Sequence, residues 1–487
     1  MHFEDDPSRT RTPSDGPWHK DLTRYHWFVL IVAALGWLFD TMDQQLFNLA
    51  RRPAITELIT PKTVPGATPP TAEEAAAASA KLTKDIEKFG GYSTSIFMVG
   101  WAIGGLFFGV LGDKIGRAKT MLLTILLYSL FTGLSSLSTG FWDFCLYRFL
   151  TGLGVGGEFA VGVALVAEVM PEGARTHALG WLQALSALGN MTAAGIAMGL
   201  GKIEESGAIA GAWRYMFVIG TLPALLAIVI RSRLKEPERW KAAARADDGE
   251  IAGVEPRLGS ISELFGDPRW RKNTIVGMLL AFSGVVGLWG IGFFSFDLIR
   301  LIFRRHFVAQ GLSPDAIKGQ LTLWTGITSL VQNAGAFFGV HAFSRVTARL
   351  GRRPAFAIGF VISLASTAFT FWFLGRIGGI TDILWMVPLM GFCQMTLFGG
   401  YAIYFPELYP TRLRSTGTSF CYNVGRLVAA VGPIALGLLT SEVYGHHGQV
   451  DPSLPFRYAG VTMCSVFLIG LMVLPFAPET MGKPLPE

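Results

Sequence analysis

The chain has 487 residues and a formal net charge of +6; 51% of its residues are hydrophobic and only 16% are charged. Soluble domains carry about 25% charged residues, so this composition excludes an ordinary soluble protein. The basic balance does not require nucleic-acid binding. The four cysteines all lie in apolar runs, which indicates packing rather than a disulfide or metal framework.

Long apolar runs recur along the whole chain. Runs of about 20 apolar residues match the thickness of a bilayer core, and about twelve are present, which predicts an all-α membrane protein with twelve transmembrane helices. The predicted spans are 26–50, 92–111, 119–138, 142–167, 178–200, 213–232, 273–297, 321–344, 354–374, 383–405, 417–440 and 457–477.

Basic residues indicate how these spans are oriented. The Lys/Arg clusters at 114–119, 231–272 and 345–353 all fall on one side of the predicted membrane. Because basic loops stay on the cytoplasmic side, we expect both termini in the cytoplasm of a multi-pass plasma (inner) membrane protein. Residues 51–91 are predicted to form a long outer loop, and the sequence does not reveal its role.

An internal repeat divides the chain into halves. DKIGRAK, from Asp113, is matched about 240 residues later by ARLGRRP, from Ala348. EVMPEGAR, from Glu168, is matched by ELYPTRLR, from Glu407, and KEPERW at the end of the sixth span is matched by APETMGK at the end of the twelfth. Three matches in the same order predict two six-helix bundles with a substrate site between them. The predicted organisation is a cytoplasmic tail 1–25, a bundle 26–232, a cytoplasmic linker 233–272, a bundle 273–480 and a tail 481–487.

These residues resemble a known family. GVLGDKIGRAK, residues 109–119, is similar to the loop signature of the major facilitator superfamily, and the resemblance covers essentially the whole chain. YRFLTGLGVGGEF (147–159), TGTSFCYNVGR (416–426) and the pair Asp40 and Asp43 resemble aromatic-acid and sialate-type proton symporters. KEPERW and PETMGKPLPE also resemble sugar porters and organic-ion transporters.

The resemblance implies the major facilitator fold and a gate at the cytoplasmic helix ends. Ala348 departs from the pattern, because it replaces the aspartate of the second motif copy, and this puts the contribution of that half to the gate in doubt. The alternative is that these charges are topology anchors that never separate. The implied inner-gate residues are Gly109, Asp113, Gly116, Arg117, Glu168, Arg175, Arg349, Glu407 and Arg414.

Four charged residues lie deeper in the predicted spans of the first bundle: Asp40, Asp43, Arg148 and Glu158. A charge near the bilayer centre costs about 2.5–3.5 kcal/mol on insertion scales, so it usually faces a cavity or a partner. Asp40 and Asp43 are three residues apart and share a helix face, and two such close carboxylates do not both ionise easily. We therefore predict a proton-coupling group in which Arg148 neutralises Asp40 or Asp43. Asp43 could instead be an interfacial residue that faces water.

Arg426 is the candidate substrate ligand. It has no acidic residue in its own span, and an arginine that stays charged can hold a carboxylate with two hydrogen bonds. A structural ion pair is the alternative. Further polar and aromatic residues at similar depth complete the predicted pocket, although each alone could be packing. The predicted substrate-binding residues are Arg426, Asn423, Tyr422, Gln183, Asn190, Trp289, Gln332, Asn333, Gln394 and Tyr401.

Gly152, Gly154 and Gly157 satisfy the dinucleotide fingerprint G-x-G-x-x-G, but they lie inside a predicted span with no preceding strand. We interpret them, together with Gly100 and Gly104, as sites of close helix approach.

The sequence therefore predicts a proton-coupled symporter that moves a small organic anion, a carboxylate, by alternating access. It would be a monomer in the lipid bilayer, with a small molecule and a proton as its partners, and with no cofactor, metal, nucleic acid or enzymatic activity. A sugar or polyol porter is the first alternative, although the Q-Q-x-x-G signature expected in its seventh span is absent. An organic-cation carrier is the second alternative, and a non-transporting sensor or scaffold is the alternative of another class.

Overall fold

The computed structural model describes residues 18–60, 72–247, 258–429 and 431–486, and its regular structure is helical, with no strand in these ranges. The first half contains α1 (Arg24–Ile59), α2 (Ala72–Ile115), α3 (Arg117–Ser135), α4 (Phe141–Val169), α5 (Glu172–Glu205), α6 (Ala212–Ile219) and α7 (Ala224–Arg233). Two short helices, α8 (Glu238–Asp247) and α9 (Ile261–Gly266), form the linker. The second half contains α10 (Pro268–Val285), α11 (Phe293–Ala309), α12 (Pro314–Leu350), α13 (Arg352–Phe373), α14 (Ile383–Tyr404), α15 (Arg414–Ala429), α16 (Val431–Leu438), α17 (Leu454–Met463) and α18 (Val466–Val473).

Nine helical stretches among the described residues are long and apolar enough to cross a membrane. Three further stretches have comparable length: α10 to α11, which a π-helix over Val286–Gly292 joins, then α12, and then α15 with α16. The all-α membrane fold is confirmed, and the described helices are consistent with twelve spans.

Residues 51–91 are not the long loop that we predicted. α1 continues to Ile59 and α2 begins at Ala72, so helix occupies most of this segment, while residues 61–71 lie outside the described ranges. The reason is composition: the stretch AEEAAAASAK consists mainly of strong helix formers. The seventh span is also longer than predicted, because α11 extends to Ala309.

Both described ends of the chain lie on one side of the helix bundle, which we call the termini side. The ring of Trp18 stacks on His177 at the start of α5, with the ring centroids 5.6 Å apart. At the other end, the carbonyl oxygen of Pro486 accepts a hydrogen bond from Arg414. The opposite side of the bundle is called the far side.

The third repeat signature caps corresponding helices in the two halves. The Glu236 carboxylate accepts hydrogen bonds from the backbone N–H groups of Ala118 and Lys119 at the start of α3. The Glu479 carboxylate does the same for Arg352 and Arg353 at the start of α13. Each glutamate satisfies backbone donors that a helix leaves free at its N-terminus, which explains why KEPERW and APETMGK recur.

The two halves meet along two helix pairs, α2 with α15 and α5 with α12. Glycines allow the α2–α15 contact: a methyl group on Gly109 would lie 2.5 Å from the Cβ atom of Ser419. On the α5–α12 contact, a methyl group on Gly180 would lie 2.7 Å from the Cβ atom of Ser344. Small residues at these crossings let the backbones approach closely, as is typical of membrane helices.

Within the first half, glycines hold α2 against α4. A methyl group on Gly156 would clash with the carbonyl oxygen of Trp101, and one on Gly104 would clash with the carbonyl oxygen of Leu153. The G-x-G-x-x-G stretch is therefore a helix-packing surface, as we interpreted it.

Candidate functional site

A cluster of buried charges closes the termini side. The Arg117 guanidinium lies 2.8 Å from the Glu168 carboxylate and 3.0 Å from that of Asp113, and none of these side chains is exposed. Arg414, from the second half, lies 2.8 Å from the same Glu168 carboxylate. Glu168 therefore binds one arginine from each half, and this pairing ties the halves together.

Asp113 forms a second link between the halves. Its carboxylate accepts hydrogen bonds from the backbone N–H groups of Ser415 and Thr416, at 3.1 and 2.8 Å, and from the Thr416 hydroxyl at 2.6 Å. These donors belong to the first turn of α15, where a carboxylate is favoured by the helix dipole. The Arg117 guanidinium also donates to the Thr411 carbonyl oxygen, at 2.6 Å.

The second copy of the motif uses Arg352, not the predicted Arg349. Arg352 lies 2.7 Å from the Glu407 carboxylate and is buried, whereas Arg349 is exposed. The repeat contained this information, because the arginine that follows the motif glycine is Arg117 in the first copy and Arg352 in the second. Arg349 instead occupies the position of Lys114.

The loss of the aspartate at Ala348 makes the gate asymmetric. Arg352, at the start of α13, donates a hydrogen bond to the Thr176 hydroxyl of α5 at 2.9 Å, and this contact with an uncharged group is the counterpart of the links from Asp113 and Arg117. Arg175 and Arg414 share one contact, because Arg175 donates to the Ala167 carbonyl oxygen and Arg414 donates to that of Pro406, but only Arg414 also pairs with a carboxylate of the other half.

The predicted gate glycines have backbone roles. Gly116 has a φ of +111° at the start of α3, a value that favours glycine, and it packs against the Glu236 carboxylate. Gly109 lies at the α2–α15 crossing described above.

Asp43 and Arg148 form one buried pair in the first half. Their charged groups lie 3.8 Å apart, and both side chains are fully buried. The Thr132 hydroxyl donates to the Asp43 carboxylate at 2.7 Å, while Arg148 donates to the Ser135 hydroxyl at 2.8 Å. Of the two aspartates that we predicted as partners of Arg148, Asp43 is the one that pairs with it in the structure. Asp43 is buried, so it is not an interfacial residue that faces water.

Asp40 has a different environment. It is fully buried, accepts a 3.3 Å hydrogen bond from Gln44, and lies within electrostatic range of the Glu158 carboxylate. Glu158 is also buried, accepts a 2.7 Å hydrogen bond from the Thr124 hydroxyl, and packs tightly on Gly36, one turn before Asp40. The four predicted residues thus form two sites, Asp43 with Arg148 and, nearer the termini side, Asp40 with Glu158.

Arg426 lies between two aromatic rings at the meeting of the halves. Its guanidinium carbon is 3.6 Å from the ring centroid of Trp101 on α2 and 4.6 Å from that of Tyr422 on α15. It donates a hydrogen bond to the Tyr422 hydroxyl at 3.1 Å, and the Asp40 carboxylate acts on it electrostatically from the other half. The ring of Tyr422 stacks on Phe159, with the centroids 4.3 Å apart.

Among the predicted pocket residues, Asn190 and Asn333 meet across the α5–α12 contact, with a hydrogen bond of 3.0 Å. Gln183 is buried and Gln332 is half-buried on these two helices. The side chain of Trp289 lies outside what the structure describes.

Three predicted ligands are instead held by packing partners. Asn423 donates to the Ser419 carbonyl oxygen on its own helix and packs directly on Gly105 of α2. Tyr401 donates to the Leu280 carbonyl oxygen at 2.6 Å, and Gln394 donates to the Thr367 hydroxyl at 2.9 Å. We predicted these side chains from their depth along a span, and the structure shows hydrogen bonds from each of them to other protein groups.

Sequence reasoning missed several residues of these sites. The hydroxyls of Thr124 and Thr132, which bind Glu158 and Asp43, and the ring of Trp101 lie on helices whose composition gives no local sign of a site. No group of three or more potential metal ligands occurs among the described residues.

The structure therefore has two halves that buried ion pairs join, with further charges buried between its helices. Residues 63–254 match the family model described as "Sugar (and other) transporter". The cis,cis-muconate transport protein of Acinetobacter baylyi is 28% identical, over 71% of this chain and 77% of that protein. The niacin transporter NiaP of the same organism is 25% identical, over 95% of this chain and 96% of that protein.

The fold is that of a solved transporter. The proton:xylose symporter XylE superposes with a TM-score of 0.67 at 18% identity, over 95% of this chain and 98% of that one. The family-model match, these relatives and the shared fold support the prediction of a transporter of the major facilitator superfamily.

Proposed function

We propose that this protein is a proton-coupled symporter that carries a small organic anion, a carboxylate, by alternating access. The observation that carries the proposal is how the buried charges are divided. Asp40, Asp43 and Glu158 lie in the first half, while the Arg426 guanidinium belongs to the second half and lies within electrostatic range of Asp40. The charge of a carboxylate substrate at Arg426 and the protonation of the acidic groups would therefore be coupled electrostatically.

Arg426 suits a flat anionic substrate. A guanidinium binds a carboxylate with two parallel hydrogen bonds, and the rings of Trp101 and Tyr422 fix its plane. The relatives support this class of substrate, because muconate and niacin are both conjugated carboxylates.

Protonation would prepare the carrier for movement. A proton on Asp43 weakens its pair with Arg148, and a proton on Asp40 removes a negative charge from the region that receives the anion. The loaded carrier would then rock, the links from Glu168 and Asp113 to the second half would break, and the termini side would open.

The charge pattern supports placing the termini side in the cytoplasm of the inner membrane. Lys114, Lys119, Arg345 and Arg353 lie at helix ends on this side. Arg300, Arg304 and Arg305 lie on the far side, because α11 is longer than its apolar run, and they reduce the asymmetry. We propose that the monomer is the transporting unit, since the two bundles of a single chain contain all of the groups named here.

The first experiment is uptake into proteoliposomes loaded with purified protein, with and without an inward proton gradient. We expect labelled carboxylates to accumulate only with the gradient, and sugars and amines not to accumulate. Asp40→Asn should abolish gradient-driven accumulation and retain exchange of labelled for unlabelled substrate.

Asp297→Asn is the matched control. Asp297 is 47% exposed, and its ion pair with Arg300 is long, at 3.9 Å. Sugar uptake that is independent of the proton gradient and persists in Asp40→Asn would contradict the proposal and favour the sugar-porter alternative. Substrate binding without any exchange would favour a sensor.

A further inference from the structure

One face of α3 connects the two buried acidic sites. Thr124, Tyr128 and Thr132 are spaced four residues apart, so their side chains project from the same face of the helix and extend over about 12 Å along its axis. Thr124 binds Glu158 at one end, and Thr132 binds Asp43 at the other end, each with a hydrogen bond of 2.7 Å. Tyr128 lies between them.

The Tyr128 hydroxyl is buried among carboxylates. The side chain is 0% exposed, and its hydroxyl makes no hydrogen bond to any residue that the structure describes. Asp40, Asp43 and Glu158 all act on it electrostatically. One carboxylate oxygen of Asp40 and one of Glu158 likewise have no hydrogen-bond donor among the described residues. Buried polar groups nearly always have a hydrogen-bond partner. Within the described part of the chain, the phenol is a donor without an acceptor, and the two carboxylate oxygens are acceptors without a donor.

Packing fixes the backbone of α3 at Tyr128 beside α4. Gly154 of α4 lies directly against the backbone of α3, since a methyl group there would come within 2.7 Å of the Tyr128 backbone nitrogen and 2.9 Å of its Cβ atom. The Cβ atom from which the Tyr128 side chain projects is therefore held against α4. The charged groups that face this space are Asp40 and Asp43 from α1 and Glu158 and Arg148 from α4.

We propose that Tyr128 is a relay residue that passes protons between the Asp43–Arg148 site and the Asp40–Glu158 site. The inference rests on the proposed proton symport and assigns a residue that the transport cycle needs in addition to the acids. A phenol is suited to this role because it donates one hydrogen bond and accepts another.

The relay step conserves atoms and charge. A protonated Asp43 gives its proton to the phenol oxygen, directly or through one water molecule, while the phenol gives its own proton to the carboxylate of Asp40 or Glu158. One carboxyl becomes a carboxylate, one carboxylate becomes a carboxyl, and tyrosine is regenerated. The net result is one proton moved toward the termini side.

Tyr128→Phe tests the relay, because it removes one oxygen and keeps the ring. In proteoliposomes we expect the initial rate of proton-gradient-driven uptake to fall at least tenfold, since an acid–base group typically contributes about a hundredfold or more. Exchange of labelled for unlabelled substrate without a gradient should stay within about twofold of the wild type, since that reaction needs no net proton transfer. Tyr147→Phe is the matched control, because Tyr147 lies half-buried on α4 and its ring contacts Phe131.

The outcomes separate the relay from the proposed function. If the wild type shows no proton dependence, proton symport itself fails, and the relay fails with it. If the wild type is coupled and Tyr128→Phe is coupled equally well, only the relay is wrong. A parallel fall of both reactions, or a variant that does not stay folded in detergent, would assign Tyr128 a packing role and overturn the relay.

Discussion

Glu168→Gln should open the gate on the termini side. In the closed gate the Glu168 carboxylate binds Arg117 at 2.8 Å within its own half and Arg414 at 2.8 Å across the halves, with no exposure to solvent. The pair with Arg117 can persist in both states of the transporter, but the pair with Arg414 must break when the halves separate. The substitution therefore destabilises the closed state more than the open one.

The magnitude follows from burial. Removing one partner of a buried ion pair costs about 3–5 kcal/mol, because the other charge is left uncompensated. Taking about 3 kcal/mol as the part specific to the closed state gives a shift of about a hundredfold toward the open gate.

Ser415 is a suitable reporter position for gate opening. It is 0% exposed, its hydroxyl has no hydrogen-bond partner among the described residues, and it lies beside Asp113 at the closed gate. In Ser415→Cys protein in detergent, we expect Glu168→Gln to raise the rate of maleimide alkylation by up to about a hundredfold. The four native cysteines are buried, and protein without the Ser415 substitution gives their background.

Glu263→Gln is the control for this measurement. Its pair with Arg412 is as short, at 2.5 Å, but the two side chains are 24% and 26% exposed, and such pairs contribute about 0–1 kcal/mol. Its alkylation rate should stay close to that of the parent. If Glu168→Gln leaves the rate unchanged, or if Glu263→Gln raises it equally, the cross-half pair does not hold the gate and the reasoning is refuted.

Two further predictions concern stability in detergent. Gly156→Ala should lower the melting temperature strongly, because its methyl group would clash with the Trp101 backbone. Gly162→Ala, on the same helix, should have little effect, because its methyl group meets only a Met121 methyl at 3.6 Å. Equal effects of the two substitutions would contradict the packing argument. Burial would raise the pKa of Glu479, but hydrogen bonds from the backbone N–H groups of Arg352 and Arg353 hold the pKa below its ordinary value. A carboxylate with a depressed pKa stabilises the folded state at neutral pH and loses this contribution as the pH falls through the folded-state pKa. Glu479→Gln should therefore lower the melting temperature at pH 7 and lose its effect once the pH has fallen below the folded-state pKa. A difference that is constant with pH would contradict the capping role.

The sequence by itself determined the all-α membrane class, and its internal repeat predicted two halves and the charges at their helix ends. Apolar run length reports bilayer thickness, and the repeat aligns Arg117, Glu168 and Arg414 with their counterparts before any helix is placed. The repeat also identifies Arg352, not Arg349, as the counterpart of Arg117, because each arginine directly follows the motif glycine of its copy.

Only the tertiary structure decided which buried groups are neighbours. Depth along a span is a local property, but the side chain that a residue meets depends on the rotation of its helix and on which helix lies beside it. For this reason the adjacent Asp40 and Asp43 separate into two sites, with Glu158 and Arg148 respectively, and Tyr401, predicted as a ligand, turns into the core of its own half. Tyr128 has no local signal in the sequence, and it becomes visible only because the helices bury its hydroxyl, unpartnered among the described residues, within electrostatic range of Asp40, Asp43 and Glu158.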